Sequence, residues 1–223
     1  MVTYKETSQA ILQDKTISNA LDAAGLTYEE KIKLITKILS VNKSVSSSIK
    51  KQSYQHLPDS YIVLDVETTG LTNYDEIIQF AALKIQDNQI ADTFDTYVHP
   101  THKRISRNIT RLTGIDNALV SSSPTITDIV PNILSFISDY SIVGHNVNFD
   151  LRFLRNAGIE TDDHTILDTL RLAKQNDLPV ANYKLSTLKE YFGVSNRSHN
   201  ALNDCETTNI VFQNLKNDLK SEK

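Results

Sequence analysis

The 223-residue sequence has little cysteine and no long apolar run. Cys205 is the only cysteine, which excludes an intrachain disulfide and is typical of the reducing cytoplasm. No apolar stretch approaches the roughly 18 residues that a membrane-spanning helix needs. The first residues, Met1-Val-Thr-Tyr-Lys-Glu6, also lack the charged and then apolar layout of a signal peptide. The sequence therefore predicts a cytoplasmic protein without a membrane partner.

Residues 1–57 are predicted to form a separate helical segment that ends in a polar linker. Thr16 is a candidate N-cap for a helix over residues 17–24, and Gly25 is its predicted stop. The pattern Thr27-Tyr-Glu-Glu30 predicts a capping box. A broad apolar helical face follows it: Tyr28, Ile32, Leu34, Ile35, Ile38, Leu39 and Val41. This face either packs on the rest of the chain or binds a partner or a second copy; the Ser-rich linker over residues 44–56 favours the second alternative.

Residues 58–223 have the alternating pattern of an α/β domain. Strands are predicted near residues 61–66, 76–85, 90–98, 141–144 and 166–167, with a hairpin turn over residues 86–89. Helices are predicted near residues 107–112, 126–137, 148–157, 169–175, 185–192 and 200–219. Because the first three strands are close in sequence, we expect the sheet to begin antiparallel. The pattern predicts a mixed sheet with helices on its faces.

The first predicted strand carries two acidic residues, Asp65 and Glu67, in Tyr61-Ile-Val-Leu-Asp-Val-Glu-Thr-Thr-Gly-Leu71. Strand side chains alternate between faces, so residues two apart project to the same side. Two adjacent carboxylates repel each other and resist burial, and a hard divalent cation such as Mg²⁺ or Mn²⁺ would compensate them. Taken alone, the pair is equally consistent with two solvated acids at a surface strand end.

Two further motifs place acidic residues where helices begin. Gly144-His-Asn-Val-Asn-Phe-Asp150 follows a short apolar run and puts Asp150 at a predicted helix start. His199-Asn-Ala-Leu-Asn-Asp204 opens the last predicted helix. Five residues correspond to about 140° around a helix at 3.6 residues per turn, so His199 and Asp204 cannot share a helical face. We therefore expect His199 on the preceding loop.

These three motifs, in this order, resemble those of the DEDDh branch of the DnaQ-like exonucleases. The resemblance covers residues 61–215 and is closest in character to the proofreading exonucleases of bacterial DNA polymerase III, the epsilon subunit and the PolC-type domain. Further matching stretches are Asp65-Val-Glu-Thr-Thr-Gly-Leu71, Leu112-Thr-Gly-Ile115, Asp168-Thr-Leu170 and Asp204-Cys-Glu206. Asn200 departs from the pattern, since the proofreading enzymes often carry Arg there.

The resemblance implies a ribonuclease-H-like fold and a 3′→5′ exonuclease that releases 5′-mononucleotides. It implies two Mg²⁺ or Mn²⁺ ions bound by four acidic residues, of which Asp65 bridges both ions: Asp65, Glu67, Asp150 and Asp204. His199 is the implied general base, which an imidazole can be near neutral pH. The implied contacts to the terminal nucleotide are Thr68, Thr69 and Leu71. His145 is expected to brace the backbone, and Asp168 to support the site or cap a helix.

The charge distribution limits how such an enzyme would hold its substrate. Residues 58–223 carry fifteen Lys and Arg against twenty-two acidic residues, a net −7, whereas residues 1–57 carry a net +3. An acidic body argues against tight binding of long duplexes, because phosphate contacts usually come from Lys and Arg. We expect the protein to contact only a short stretch at the 3′ end of a strand, of DNA in preference to RNA. An RNA-directed exonuclease and a non-catalytic partner-binding module that keeps the fold remain the alternatives, and residues 1–57 could serve a polymerase or self-association.

Overall fold

A computed structural model describes residues 11–13, 15–37 and 57–221 of the chain. It divides into two units, Met1–His56 and Leu57–Lys223. In the first unit, α1 spans Lys15–Ala23 and α2 spans residues 28–37 of the described part. The prediction that Thr16 precedes the first helix is wrong, because α1 begins at Lys15 and includes Thr16.

The second helix of the N-terminal unit begins with the predicted capping box. The Thr27 backbone N–H donates to the Glu30 carboxylate at 2.8 Å, and the Glu30 N–H donates to the Thr27 hydroxyl at 3.4 Å. Lys31 forms an ion pair with Asp22 of α1. Of the predicted apolar face, Ile35 is buried, Ile32 is half-buried, and Tyr28 and Leu34 are exposed. The rest of that face (Ile38, Leu39 and Val41) and the linker lie outside the described residues.

The C-terminal unit is a five-stranded mixed sheet with helices on its faces, as the sequence predicts. The strands are β1 Tyr61–Thr68, β2 Ile77–Gln86, β3 Gln89–Tyr97, β4 Ile142–Gly144 and β5 Ile166–Asp168. The helices are α3 Arg107–Thr113, α4 Ile126–Ile137, α5 Asn148–Asn156, α6 Thr169–Gln175, α7 Leu185–Tyr191 and α8 Ala201–Ser221. The strand order is β3-β2-β1-β4-β5.

The central strand β1 joins the antiparallel and parallel parts of the sheet. It runs antiparallel to β2, which continues antiparallel to β3, and it runs parallel to β4, which pairs parallel with β5. Asp87 and Asn88 form the turn between β2 and β3, and both have positive φ (50° and 64°), as a two-residue type I′ hairpin requires. The predicted hairpin and antiparallel start are therefore confirmed.

The two faces of β1 pack against different helices. Ile62, Leu64 and Val66 enter a core that contains residues of α4 and α5, including Ile133 and Leu154. On the opposite face Tyr61 packs edge-on against Phe212 of α8, with ring centroids 4.7 Å apart. Because side chains alternate along the strand, Asp65 and Glu67 lie on the face that α8 covers. Among the described residues, no helix is long and apolar enough to cross a membrane.

Candidate active site

A cavity of about 260 Å³ opens beside the C-terminal half of β1. Its lining includes all five residues of the predicted catalytic set: Asp65, Glu67, Asp150, His199 and Asp204. Thr68 and Leu71 also line it, and Leu71 is 75% exposed at this position. The structure thus brings together residues from one strand, two helices and one loop.

Thr69 is the one predicted substrate contact that does not line the cavity. Its backbone N–H donates to the Glu76 carbonyl at 2.8 Å, and its hydroxyl accepts the Glu76 N–H at 3.0 Å. The same hydroxyl lies 3.2 Å from the Asp75 carboxylate. Both polar groups of Thr69 are therefore used within the loop that follows β1.

Asp150 is positioned by a backbone N–H of β1 that has no partner in the short strand β4. Along β1, the N–H of Ile62 points towards the β4 side and donates to the Ser141 carbonyl at 2.9 Å. The pairing of β1 with β4 ends at Val63, and the N–H of Val66, four residues beyond Ile62, points to the same side. Asp150, in the first turn of α5, accepts that N–H at 3.1 Å. The strand backbone thereby fixes the carboxylate beside the cavity.

Asp204 and His199 are coupled through the start of α8. The Asp204 carboxylate accepts the backbone N–H of His199 at 2.9 Å, and His199 has a φ of 60° on the loop before the helix. The Asn200 side chain accepts the Asn203 N–H at 3.2 Å, as an N-cap residue does. Asn200, which departs from the family pattern, therefore has a structural role in beginning the helix that carries Asp204.

Gln79 of β2 provides a further support for this helix start. Its side-chain oxygen accepts the Ala201 N–H at 3.2 Å, and its amide group donates to Asp95 at 2.8 Å. Gln79 is directly opposite Glu67 in the β1–β2 register and is buried. Its sequence position, in the middle of an apolar strand, gives a signal for a buried polar contact but not for its partner.

The four carboxylates have pKa values above their usual range. Burial is the main cause at each of them: it raises the pKa of Glu67 to about 7 and that of Asp150 to about 8. The pKa of Asp65 is raised well above normal by burial and then by repulsion from Asp150, Asp204 and Glu67. Burial also raises the pKa of Asp204. Within the described part of the chain, no Lys or Arg forms an ion pair with any of them.

This donor set fits a hard divalent cation. Clustered carboxylate oxygens are the ligands that Mg²⁺ and Mn²⁺ prefer, and a cation would offset the mutual repulsion. Ligand atoms of Glu67, His199 and Asp204 all lie within 4.8 Å of one another. His199 therefore lies among the carboxylates, at a position from which its ring could reach either a cation or a water molecule.

Four further residues lie around the site, of which His145 and Asp168 were predicted from the sequence and Arg152 and Phe149 were not. His145 lies 2.9 Å from the Thr169 hydroxyl through Nδ1, and Asp168 caps α6 by accepting the Leu170 N–H at 2.9 Å. Arg152 of α5, which the sequence analysis missed, donates to the Leu71 carbonyl at 2.9 Å. Phe149, also in α5, lines the cavity.

Comparison with known proteins agrees with this geometry. Residues 62–212 match the RNase T family model, described as exonuclease. PolC-type DNA polymerase III of Caldanaerobacter subterraneus subsp. tengcongensis is 40% identical over 166 residues, which are 72% of this chain and 12% of that protein. The corresponding polymerase of Staphylococcus saprophyticus is 30% identical over 211 residues, or 91% of this chain and 15% of that one. The chain thus spans only a small part of these relatives' length.

Solved exonuclease structures share the fold. Exonuclease X in complex with 5′-overhanging duplex DNA has a TM-score of 0.59 and 24% identity, covering 71% of this chain and 92% of that one. E. coli exonuclease I in complex with a dA16 oligonucleotide has a TM-score of 0.63 and 18% identity, covering 74% and 43%. The chain belongs to the exonuclease family that the model defines. The predicted DnaQ-like 3′→5′ exonuclease with a ribonuclease-H-like fold is confirmed.

Proposed function

We propose that this chain removes 5′-mononucleotides from the 3′ end of single-stranded DNA by hydrolysis of the terminal phosphodiester bond. The observation that carries the proposal is the convergence of four carboxylates with raised pKa values and one histidine on a single cavity. In a solvated acidic patch the carboxylates would keep ordinary pKa values, because water stabilises their charged forms.

Four residues are proposed to hold two Mg²⁺ or Mn²⁺ ions: Asp65, Glu67, Asp150 and Asp204. When bound, the ions supply positive charge against the charge that develops on the phosphoryl group, and they favour deprotonation of a water molecule. The chain itself supplies preorganised oxygen donors. Asp65 and Glu67 are fixed by the strand, and Asp150 is held by the Val66 N–H.

His199 is proposed to be the general base that accepts the proton of the attacking water. Its loop position leaves the ring exposed at the cavity, while the bond from its backbone N–H to Asp204 keeps the ring close to the carboxylates. Thr68 and Leu71, at the cavity wall, are proposed to contact the terminal nucleotide. The exposed Leu71 side chain offers an apolar surface to a base.

The relatives favour DNA and a role in proofreading. The two PolC-type relatives are DNA polymerases, and exonuclease X and exonuclease I are both seen with DNA. We propose that residues 58–223 form the exonuclease domain and that residues 1–57 bind a polymerase or a second copy of the chain.

The direct test is digestion of 5′-labelled single-stranded DNA and RNA of the same sequence with Mg²⁺, Mn²⁺ or EDTA. We expect a DNA ladder that shortens from the 3′ end and disappears with EDTA. Asp65→Ala should be inactive, whereas Asp163→Ala, which changes an exposed acid outside the cavity, should resemble wild type. Preferred digestion of RNA would contradict the substrate, and turnover by Asp65→Ala would contradict the site.

A further inference from the structure

An uninterrupted basic stretch lies in the otherwise acidic body. Residues 96–115 contain no Asp or Glu, yet four of the fifteen Lys and Arg of residues 58–223 fall there: Lys103, Arg104, Arg107 and Arg111. The whole body carries a net charge of −7, so this stretch differs sharply in charge from the rest of the body. Such segregation is typical of a surface that contacts an anionic partner.

The arginines of this stretch are exposed and not neutralised. Arg104, Arg107 and Arg111 are all exposed, and in the described ranges none of them is in an ion pair. Other cations of the body do have acidic partners: Lys103 contacts Asp75 at 2.8 Å, and Arg155 contacts Asp162 at 3.2 Å. In a body with excess acid, the lack of partners at these arginines is therefore not caused by a shortage of carboxylates.

A fourth arginine reaches the same helix from another part of the chain. The Arg197 guanidinium lies against Gly114, 2.7 Å from where a Cβ of that residue would be, and Gly114 ends α3. Arg197 is exposed and, like the other three, forms no ion pair within the described residues. We call the four residues Arg104, Arg107, Arg111 and Arg197 the arginine surface.

The arginine surface borders the cavity through α3. Ile109, Leu112 and Thr113 of this helix line the cavity. Arg107 and Arg111 are four residues apart and share the other face of the helix, since each residue turns the helix by about 100°. Arg197 lies two residues before His199, on the loop that brings the imidazole to the cavity. A strand that leaves the cavity over α3 would meet these guanidinium groups next.

We propose that the arginine surface binds phosphates of the nucleic-acid strand beyond the terminal nucleotides held in the cavity. This inference rests on the proposed exonuclease function. It identifies the residues that bind the rest of the substrate strand. Guanidinium groups suit this role because they remain charged and bond phosphate through two parallel N–H groups. The surface also explains how an acidic body holds a polyanion, because it presents four arginines without acidic partners among the described residues.

The test compares Arg107→Gln/Arg111→Gln with Arg155→Gln/Arg171→Gln, which loses the same charge at exposed positions that do not line the cavity. We would measure kcat and KM on single-stranded DNA of 3, 6, 12 and 20 nucleotides over a range of salt concentrations. Each phosphate contact to a single strand contributes about 0.7 to the slope of log affinity against log salt. For the 20-mer, the first variant should lose about 1.4 from that slope, with a raised KM and an unchanged kcat.

The dependence of KM on strand length distinguishes lost phosphate binding from damage to α3. The KM increase should be small at 3 nucleotides and should grow with length, while the control variant follows wild type at every length. An equal loss at all lengths, or a salt slope that matches the control, would overturn the proposal. Failure of the wild-type protein to digest any of these strands would instead refute the proposed function itself.

Discussion

Asp150 shows at the scale of one residue what it costs to bury a carboxylate in the site. Burial raises its pKa to about 8, from an ordinary value of 3.8. Between these two values the folded protein binds a proton that the unfolded chain releases, so the free energy of unfolding falls as pH rises from about 4 to about 8. The carboxylate therefore destabilises the metal-free protein at neutral and alkaline pH, where it serves the site.

Asp150→Asn should reduce this pH dependence in the metal-free protein, to which Asp65, Glu67 and Asp204 also contribute. The amide oxygen can still accept the Val66 N–H, so the variant loses the charge and keeps the contact. Urea unfolding with EDTA should show a gain in the free energy of unfolding that is small near pH 4, grows to several kcal/mol because each pKa unit corresponds to about 1.4 kcal/mol, and levels off above pH 8. Asp163→Asn, at an exposed acid, is the matched control. A gain that is constant across this range would refute the raised pKa of Asp150.

His199 could act as a general base or as a metal ligand, and one variant distinguishes the two roles. As a general base, its replacement by Ala should lower kcat about 10²- to 10⁴-fold and leave Mn²⁺ affinity near wild type. As a ligand, which its closeness to Glu67 and Asp204 would also permit, its loss should weaken Mn²⁺ binding. Calorimetric titration with Mn²⁺ measures this without turnover. We expect unchanged affinity, and a large decrease would refute the assignment as a base.

The five residues that meet at the cavity could be predicted from the sequence because three local motifs carry them. The alternation of strand side chains placed Asp65 and Glu67 on one face, and helical geometry placed His199 on a loop. Gln79 could not be predicted in the same way. Its partner Ala201 is 122 residues away, and such a hydrogen bond depends on tertiary packing rather than on any local pattern.

At the scale of elements, α5 holds the loop that follows β1. Arg152 donates to the Leu71 carbonyl, and Asn156, one turn later, donates to the Asn73 carbonyl at 3.3 Å. The Arg152 guanidinium also packs on the rings of Phe149 and Phe153, 5.2 and 5.0 Å from their centroids. These contacts fix Leu71 at the cavity mouth although its side chain is exposed.

Arg152→Ala should therefore weaken substrate binding more than chemistry. Loss of one such hydrogen bond costs about 0.5–1.5 kcal/mol, which corresponds to a roughly 2- to 12-fold rise in KM with a smaller change in kcat. Amide hydrogen exchange at residues 71–73 should also become faster. Arg155→Ala, one turn along the same helix and paired with Glu160 and Asp162, is the control. Equal kinetics in both variants would show that Arg152 does not position the loop.

Two element boundaries were predicted correctly from local sequence signals, and one was not. The left-handed Asp87 and Asn88 give the β2–β3 hairpin, and Thr27 with Glu30 gives the start of α2. The start of α1 was predicted at Ile17, two residues late, because Thr16, a good capping residue by type, lies inside the helix. The preference of a residue type for a cap is a weak guide when a helix can begin earlier.

At the scale of the whole molecule, the two units differ in charge, and the N-terminal unit also exposes large apolar side chains. The segment over residues 1–57 is basic, with eight lysines against five acidic residues, and the body is acidic. In α2, Tyr28 is 60% exposed and Leu34 is 39% exposed. Large apolar side chains left in water forgo about 1.5–3 kcal/mol each relative to full burial. This makes the exposed part of α2 a candidate contact surface.

We expect residues 1–57 to mediate association and not chemistry. A chain that begins at Leu57, which is buried in the body, should keep its specific activity on short single-stranded DNA and behave as a monomer in light scattering. The full chain should be larger than a monomer or should bind a polymerase. Tyr28→Ser/Leu34→Ser in the full chain provides a second test, because it should abolish the association and leave the exonuclease fold untouched. If the truncated chain is inactive while this double variant remains associated, the helices belong to the enzyme core and the assignment of an association segment is wrong.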